Sequence, residues 1–251
     1  MSTQKTIQRQ ESSPEVTIFV DQLSQPSRSL MAFTETCKIP AKTVSRVIDR
    51  IGKKDLKFIA EFKKISPMLT VPAAKTEDFV FTESCAILRF LAQKYPKHTQ
   101  ELYPALDRIQ EARVENFYTF YHSILRPMTK YPFGKLYATK IQLETIIDLK
   151  EDKKAVYRGL EALANRYRLA ESIVEGDKSH KFVFGRNFTV FDILAFSEVM
   201  QLNMIGFDLK GSFPGIWKWV LRCKEVCPAL VDAHVLVAKI AEKNGHKFWL
   251  A

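Results

Sequence analysis

Long apolar runs are missing from this chain. None approaches the roughly 18 residues that a membrane helix needs, and stretches such as Ala86 to Ala92 are interrupted by Arg89. The first fourteen residues are polar, rich in Gln and Ser, and lack the apolar centre of a signal peptide. They read as a flexible extension, and the expected location is the cytoplasm. Cysteine is scarce, and Cys37, Cys85, Cys223 and Cys227 show neither a disulfide framework nor zinc spacing. Cys223 and Cys227 stand four apart and would share a helix face, an arrangement for packing rather than chemistry. The five histidines, His98, His122, His180, His234 and His246, sit apart and form no metal motif. No metal is expected, and no nucleic-acid-binding motif of the usual kinds is present.

What remains is an ordinary globular composition with a basic bias. The 251 residues suffice for one large core or two modest ones. A hydrophobic content of 46% with 26% charged residues suits a water-facing fold. Lys and Arg exceed Asp and Glu by 38 to 28, for a net charge of +10. The basic residues are scattered through helical segments, and Lys53-Lys54 and Lys63-Lys64 are interleaved with Asp55 and Glu61. This reads as a solvated basic surface that also favours anionic substrates, with neither a specific nucleic acid nor a membrane as partner.

Strand and helix signals alternate from Val16 to Tyr95. Val16 to Val20 is a β-branched and aromatic run suited to a buried strand. Arg28 to Lys38 reads as helix, ended by Ile39-Pro40, and Lys42 to Val47 alternates as a second strand does. Asp55 to Lys64 is a short amphipathic helix stopped by Ser66-Pro67. Val71 to Ala74 and Phe79 to Phe81 read as a hairpin around Thr76-Glu77-Asp78, and Glu83 to Tyr95 as the closing helix. The order is βαβαββα. A polar linker follows, and the chain beyond it reads as wholly helical. Val114, Phe117, Tyr118, Tyr121 and Leu125 fall on one helix face, and Lys153 to Val174 forms another long helical pattern. Thr189-Val190-Phe191-Asp192 is a capping-box sequence, flanked by Phe188 and Ile193 at the positions of a hydrophobic staple. Pro214 to Arg222 and Val231 to Ala241 supply the remaining helices.

Three short pieces carry the chemistry. Leu23-Ser24-Gln25-Pro26-Ser27-Arg28 turns the first strand into the first helix, with Pro26 suited to the helix start. The Ser24 hydroxyl then lies at the positive end of a helix, where an anion is stabilised. It equally suits a plain N-cap, a role Ser fills very commonly, and Ser27 is a near competitor for the helix-start role. Val71-Pro72 enters a short strand at a position open to a cis peptide bond. Thr82-Glu83-Ser84 opens another helix with an acid and a hydroxyl, a grip for an α-amino-acid head group or ordinary helix-start chemistry. Together the three outline a site for a small, anionic, peptide-like thiol.

In this order and spacing the pieces resemble the thioredoxin-like domain of cytosolic glutathione transferases, theta class, and the resemblance runs from about Val16 to the end of the chain. The second-domain opening Tyr103-Pro104 through Arg113 and Tyr118 and the Thr189–Asp192 cap belong to it. It implies an α/β thioredoxin-like domain (βαβαββα) over residues 15–96 that binds glutathione, after the extension at 1–14. A linker at 97–102 and an all-helical domain with the electrophile site at 103–251 complete that architecture. It implies a homodimer and detoxification chemistry with glutathione as co-substrate and no tightly bound cofactor.

Residue by residue, Ser24 would donate a hydrogen bond to the glutathione sulfur and stabilise the thiolate. Val71, set by Pro72, would pair through its backbone with the cysteinyl part, and Glu83 and Ser84 would hold the γ-glutamyl ammonium and carboxylate. Arg28 would play a supporting role, neutralising nearby carboxylates or pairing on the surface. Phe117, Tyr121 and Arg126, with Met128, would face the electrophile. Two positions depart from the family pattern. Thr70 stands where a Lys often precedes Val-Pro, and Lys57 where a His is common, so the glycyl carboxylate would meet one cation and one neutral group. The leading expectation is conjugation of glutathione to alkyl or aryl halides or epoxides, with reduction of organic peroxides. A non-catalytic binding or assembly module of the same fold is the alternative. A thiol oxidoreductase would want a cysteine where Ser24 stands.

Overall fold

The computed structural model of the chain describes residues 16–103, 107–129, 149–166 and 181–250. The expected extension at 1–14 and the end of the helix expected over 153–174 lie outside the described residues.

The β-branched run at the start forms β1 (Val16–Phe19), followed by α1 (Gln25–Thr36) and β2 (Ala41–Val44). Two short helices come next, α2 (Val47–Gly52) and α3 (Leu56–Lys63), then β3 (Ala73–Lys75), β4 (Val80–Phe81) and α4 (Ser84–Lys94). The four strands lie in the order β2-β1-β3-β4, with β1 parallel to β2 and antiparallel to β3, and β3 antiparallel to β4. This is the expected order with one helix more. The strand expected to run to Val47 ends at Val44, because Arg46 takes a left-handed φ of 61° and turns the chain out of the sheet. Val47 then opens α2 and is fully buried beside Phe19, Phe62, Ile65 and Ala73, the small core on one face of the sheet.

The linker is partly helical: α5 (Pro96–Thr99) starts on a proline. A bond from Val190 N–H to Leu102 O, 2.8 Å, ties it to the helical half. That half comprises α6 (Arg108–Phe120), α7 (Leu149–Arg166), α8 (Val190–Gln201), α9 (Leu209–Ser212), α10 (Pro214–Val226), α11 (Ala229–Ala233) and α12 (Val235–Lys243). α6 runs into a wider π turn over Tyr121–Leu125, and helix resumes at Arg126. Every residue of α8 is buried. A continuous core spans α1 and α4 of the first half and α6, α7, α8 and α10 of the second, and α1 packs against both α8 and α11.

The expected capping box starts α8. Its acid does more than cap: the fully buried Asp192 carboxylate accepts from Thr189 N at 2.9 Å, Val183 N at 2.8 Å and Trp219 Nε1 at 2.9 Å. Burial outweighs these donors and pushes its pKa up to about 6. Among the described residues no helix is long and apolar enough to cross a membrane.

Candidate active site

Strand register brings the three sequence pieces to one edge of the sheet. Phe19 pairs with Ala73 and Ala74 with Phe81, so the residues after β1, before β3 and after β4 emerge side by side. Ser24, Val71-Pro72 and Glu83-Ser84 belong to those segments.

The turn carrying Ser24 is held from four directions. Ser24 N–H donates to Asp21 O at 3.0 Å. The largely buried Asp21 carboxylate accepts from Leu23 N at 2.9 Å and, across the sheet edge, from Ile48 N at 3.0 Å. Arg28 Nη1 donates to Gln22 O at 2.6 Å. The half-buried Ser24 hydroxyl serves both expected roles at once: it accepts from Ser27 N at 3.4 Å as the N-cap of α1, and it donates to Val71 O at 3.1 Å. The Val71–Pro72 peptide is cis and Pro72 is buried. Ser27, the near competitor, is fully buried, and its Oγ has no hydrogen-bond partner among the described residues.

Glu83 is exposed and extended at the N-cap of α4, yet its side chain makes no capping bond. The carboxylate is thus not engaged in helix-start chemistry. Ser84 beside it is buried. Thr70 is exposed but tethered, its N–H donating to the Oγ of the fully buried Ser66 at 3.0 Å, just after Leu69 in a left-handed φ of 54°. Lys57 is exposed on α3 near Asp55, whose carboxyl is held below its usual range chiefly by the Arg50 hydrogen bond.

Arg28 is not on the surface. It is fully buried, with Nη2 donating to Ser197 O at 3.4 Å and to Gln201 Oε1 on α8. On the helical side, Phe117 and Tyr121 lie fully inside the core, Phe117 against Phe191 with ring centroids 4.8 Å apart, and Met128 is buried too. Arg126 emerges with 21% of its side chain exposed. It is aimed by Glu198, an acid sequence reasoning passed over although it interrupts the apolar run of α8. The fully buried Glu198 carboxylate accepts from Tyr121 Oη at 2.8 Å, Arg126 Nη1 at 3.0 Å and the Thr129 hydroxyl. Tyr121 and Arg126 are five apart, which an α-helix of about 3.6 residues per turn would set on different sides. The π turn, closed by Arg126 N–H to Tyr121 O, lets both face one carboxylate. Burial, then the Glu198 charge, drives the Tyr121 phenol well above its ordinary range, so it stays a neutral donor.

All four thiols are free and buried, and burial pushes Cys37 and Cys85 each up to about 12. Neither offers a ready thiolate. Among the described residues no group of three His, Cys, Asp or Glu side chains could hold a metal ion. Adjoining the site at Glu83, α4 and α6 bound a groove of about 930 Å³ whose walls include Phe81, Phe90, Arg89, Glu115 and Tyr118.

Comparison with known proteins bears on both halves. Residues 121–225 match the family profile "Glutathione S-transferase, C-terminal domain". The chain is 29% identical over 238 residues to glutathione S-transferase theta-2 of Homo sapiens, with 92% of this chain and 90% of the relative covered. It is also 29% identical over 235 residues to theta-2 of Mus musculus, with the same coverage. The fold superimposes with a TM-score of 0.72, at 25% identity and 93% coverage of each chain, on the human theta-class enzyme in complex with the glutathione conjugate of 1-menaphthyl sulfate. Residues 121–225 thus carry the C-terminal domain of the glutathione S-transferases, and over most of its length the chain is similar, in sequence and in fold, to their theta class.

Proposed function

We propose that this chain is a serine-type glutathione transferase of the cytoplasm, joining the glutathione thiolate to small apolar electrophiles in detoxification. The observation that carries this reading is the Ser24 hydroxyl, 3.1 Å from Val71 O at the cis-proline edge and fixed by its own turn. A free thiol of pKa about 8.5 is only a few per cent ionised at neutral pH. A preorganised hydroxyl that turns from Val71 O to the sulfur stabilises the thiolate at little reorganisation cost. Val71 then offers its freed carbonyl to the cysteinyl backbone. Glu83 meets the γ-glutamyl ammonium and Ser84 its carboxylate, with Lys57 and Thr70 toward the glycyl end.

The thiolate attacks the electrophilic carbon, the S–C bond forms, and the bond to the leaving group breaks with its electron pair. Halides and epoxides fit this step. With an organic peroxide the thiolate attacks the peroxide oxygen, and the O–O bond breaks to release the alcohol. A second glutathione then displaces water from the resulting sulfenic acid to give the disulfide. Arg126 meets the departing anion, while Phe117 and Tyr121 back it from the core. The groove between α4 and α6 is assigned to a second copy of the chain. Its Phe81 and Phe90 rings stack at 4.6 Å, and the chain of rings continues to Phe79, which is 62% exposed. A half-buried aromatic row ending on exposed Phe79, beside a charged wall, suits an isologous dimer.

An ultraviolet difference titration of bound glutathione, wild type against Ser24→Ala, tests the reading. A thiolate formed well below the free thiol's pKa and lost in the variant is the expected result. Binding without ionisation would instead favour a non-catalytic binding module, for which the exposure of Lys57 and Thr70 at the glycyl end speaks.

A further inference from the structure

The Arg28 guanidinium joins the Ser24 turn to α8, beside a weaker bridge from the Ser29 hydroxyl, which lies 3.3 Å from Gln25 O and 3.4 Å from Ile193 O. It reaches back to Gln22 O at 2.6 Å, two residues before Ser24, and across to Gln201 Oε1 and Ser197 O. The seam it crosses is closed to solvent, with Leu30 and Phe33 of α1 and Leu230 of α11 fully buried. A guanidinium there carries a desolvation cost. Gln201 is equally informative. It is fully buried, and its Nε2 has no hydrogen-bond partner among the described residues. A leucine or methionine would fill that space without an orphaned donor, so the glutamine is explained by its oxygen and by Arg28, which receives it. His234 beside them does not compete. Its Nδ1 pairs with Leu230 O at 2.7 Å, and burial, reinforced by Arg28, holds its pKa well below the usual value, so it stays neutral.

We infer that Gln201, from the helical half, is a positioning residue for Ser24 and acts through Arg28. This inference rests on the reading of Ser24 as thiolate donor. Gln201 fixes the guanidinium, the guanidinium fixes the Gln22 carbonyl, and the carbonyl fixes the turn that aims the hydroxyl. Local rules broken in a core at some cost to stability mark places where geometry matters for function.

The test uses the full-length protein and glutathione alone. The bound thiol is titrated in the wild type, Ser24→Ala, Gln201→Leu and Gln201→Glu, with the glutathione Kd and Tm of each. Gln201→Leu should raise the thiol pKa by about one unit, a tenfold loss of thiolate near neutrality, with little change in Kd. Gln201→Glu keeps the acceptor and should retain the wild-type pKa. Arg28→Lys, which cannot span both partners, should behave as Gln201→Leu and serves if the leucine variant does not fold. A lowered Tm with an unchanged thiol pKa in both Gln201→Leu and Arg28→Lys would overturn the inference. If Ser24→Ala itself leaves the thiol pKa unmoved, the Ser24 reading is at fault and this one falls with it.

Discussion

The seam between the two halves and the rim around α3 handle polar groups in opposite ways. In the seam, Arg28, Asp192 and Glu198 are fully buried, and each is held by groups from more than one segment. On the rim, Lys57 and Thr70 are exposed. The difference teaches that the Ser24 turn is held from within, and it gives the rim, on the proposed reading, the smaller task of adjusting affinity. Ser24 stands where the two regimes meet, half-buried with its turn anchored inward.

The contrast can be broken by experiment. Glu198→Ala strands the Arg126 charge and unpairs Tyr121 and Thr129, and it should cost about 3–5 kcal/mol in denaturant unfolding. A cost near zero would mean that the seam is not a set of coupled buried contacts. Asp192 gives a pH signature of roughly 1–3 kcal/mol. Its folded pKa, pushed up to about 6, lies above the unfolded value, so the folded state holds the proton more tightly. That stability is fully present below about pH 4 and is lost as the pH rises through 6. Asp192→Asn should flatten this slope in a Tm-versus-pH series. Ser24→Ala should raise the pKa of bound glutathione by about one to two units, or roughly 1.4 kcal/mol per unit, with binding largely intact. Lys57→Ala should weaken glutathione binding by less than about 1 kcal/mol, an effect that fades with added salt. A Lys57 effect as large as that of Ser24 would erase the distinction between seam and rim.

What was legible in the sequence follows the reach of local rules. The β-branched run of β1, the caps at Ser24 and Thr189 and the paired pieces at Val71-Pro72 and Glu83-Ser84 are patterns a few residues long. The fold resemblance drew on them. α2 is six residues, too short for a helical period, and its first residue completed an alternation that looked like strand. The π turn left no signal, because Tyr121 and Leu125 suit a regular helix face equally well. Arg28 was expected to meet carboxylates or to sit on the surface. Its partners Ser197 and Gln201 lie 169 and 173 residues away, a distance at which no local pattern reports. Glu198 was overlooked for the same reason: its partners Thr129, Arg126 and Tyr121 are 69, 72 and 77 residues off.

The wide turn at Tyr121–Leu125 is equivalent to one residue inserted into an otherwise regular helix. Deleting a residue there would give a helix that is locally more orthodox. It would also rotate everything beyond by about 100°, carrying Arg126 and Thr129 away from Glu198 while Tyr121 stayed behind. The insertion therefore acts as a phase shift between two stretches of one helix, and a shorter, more regular chain would bury an acid without its base.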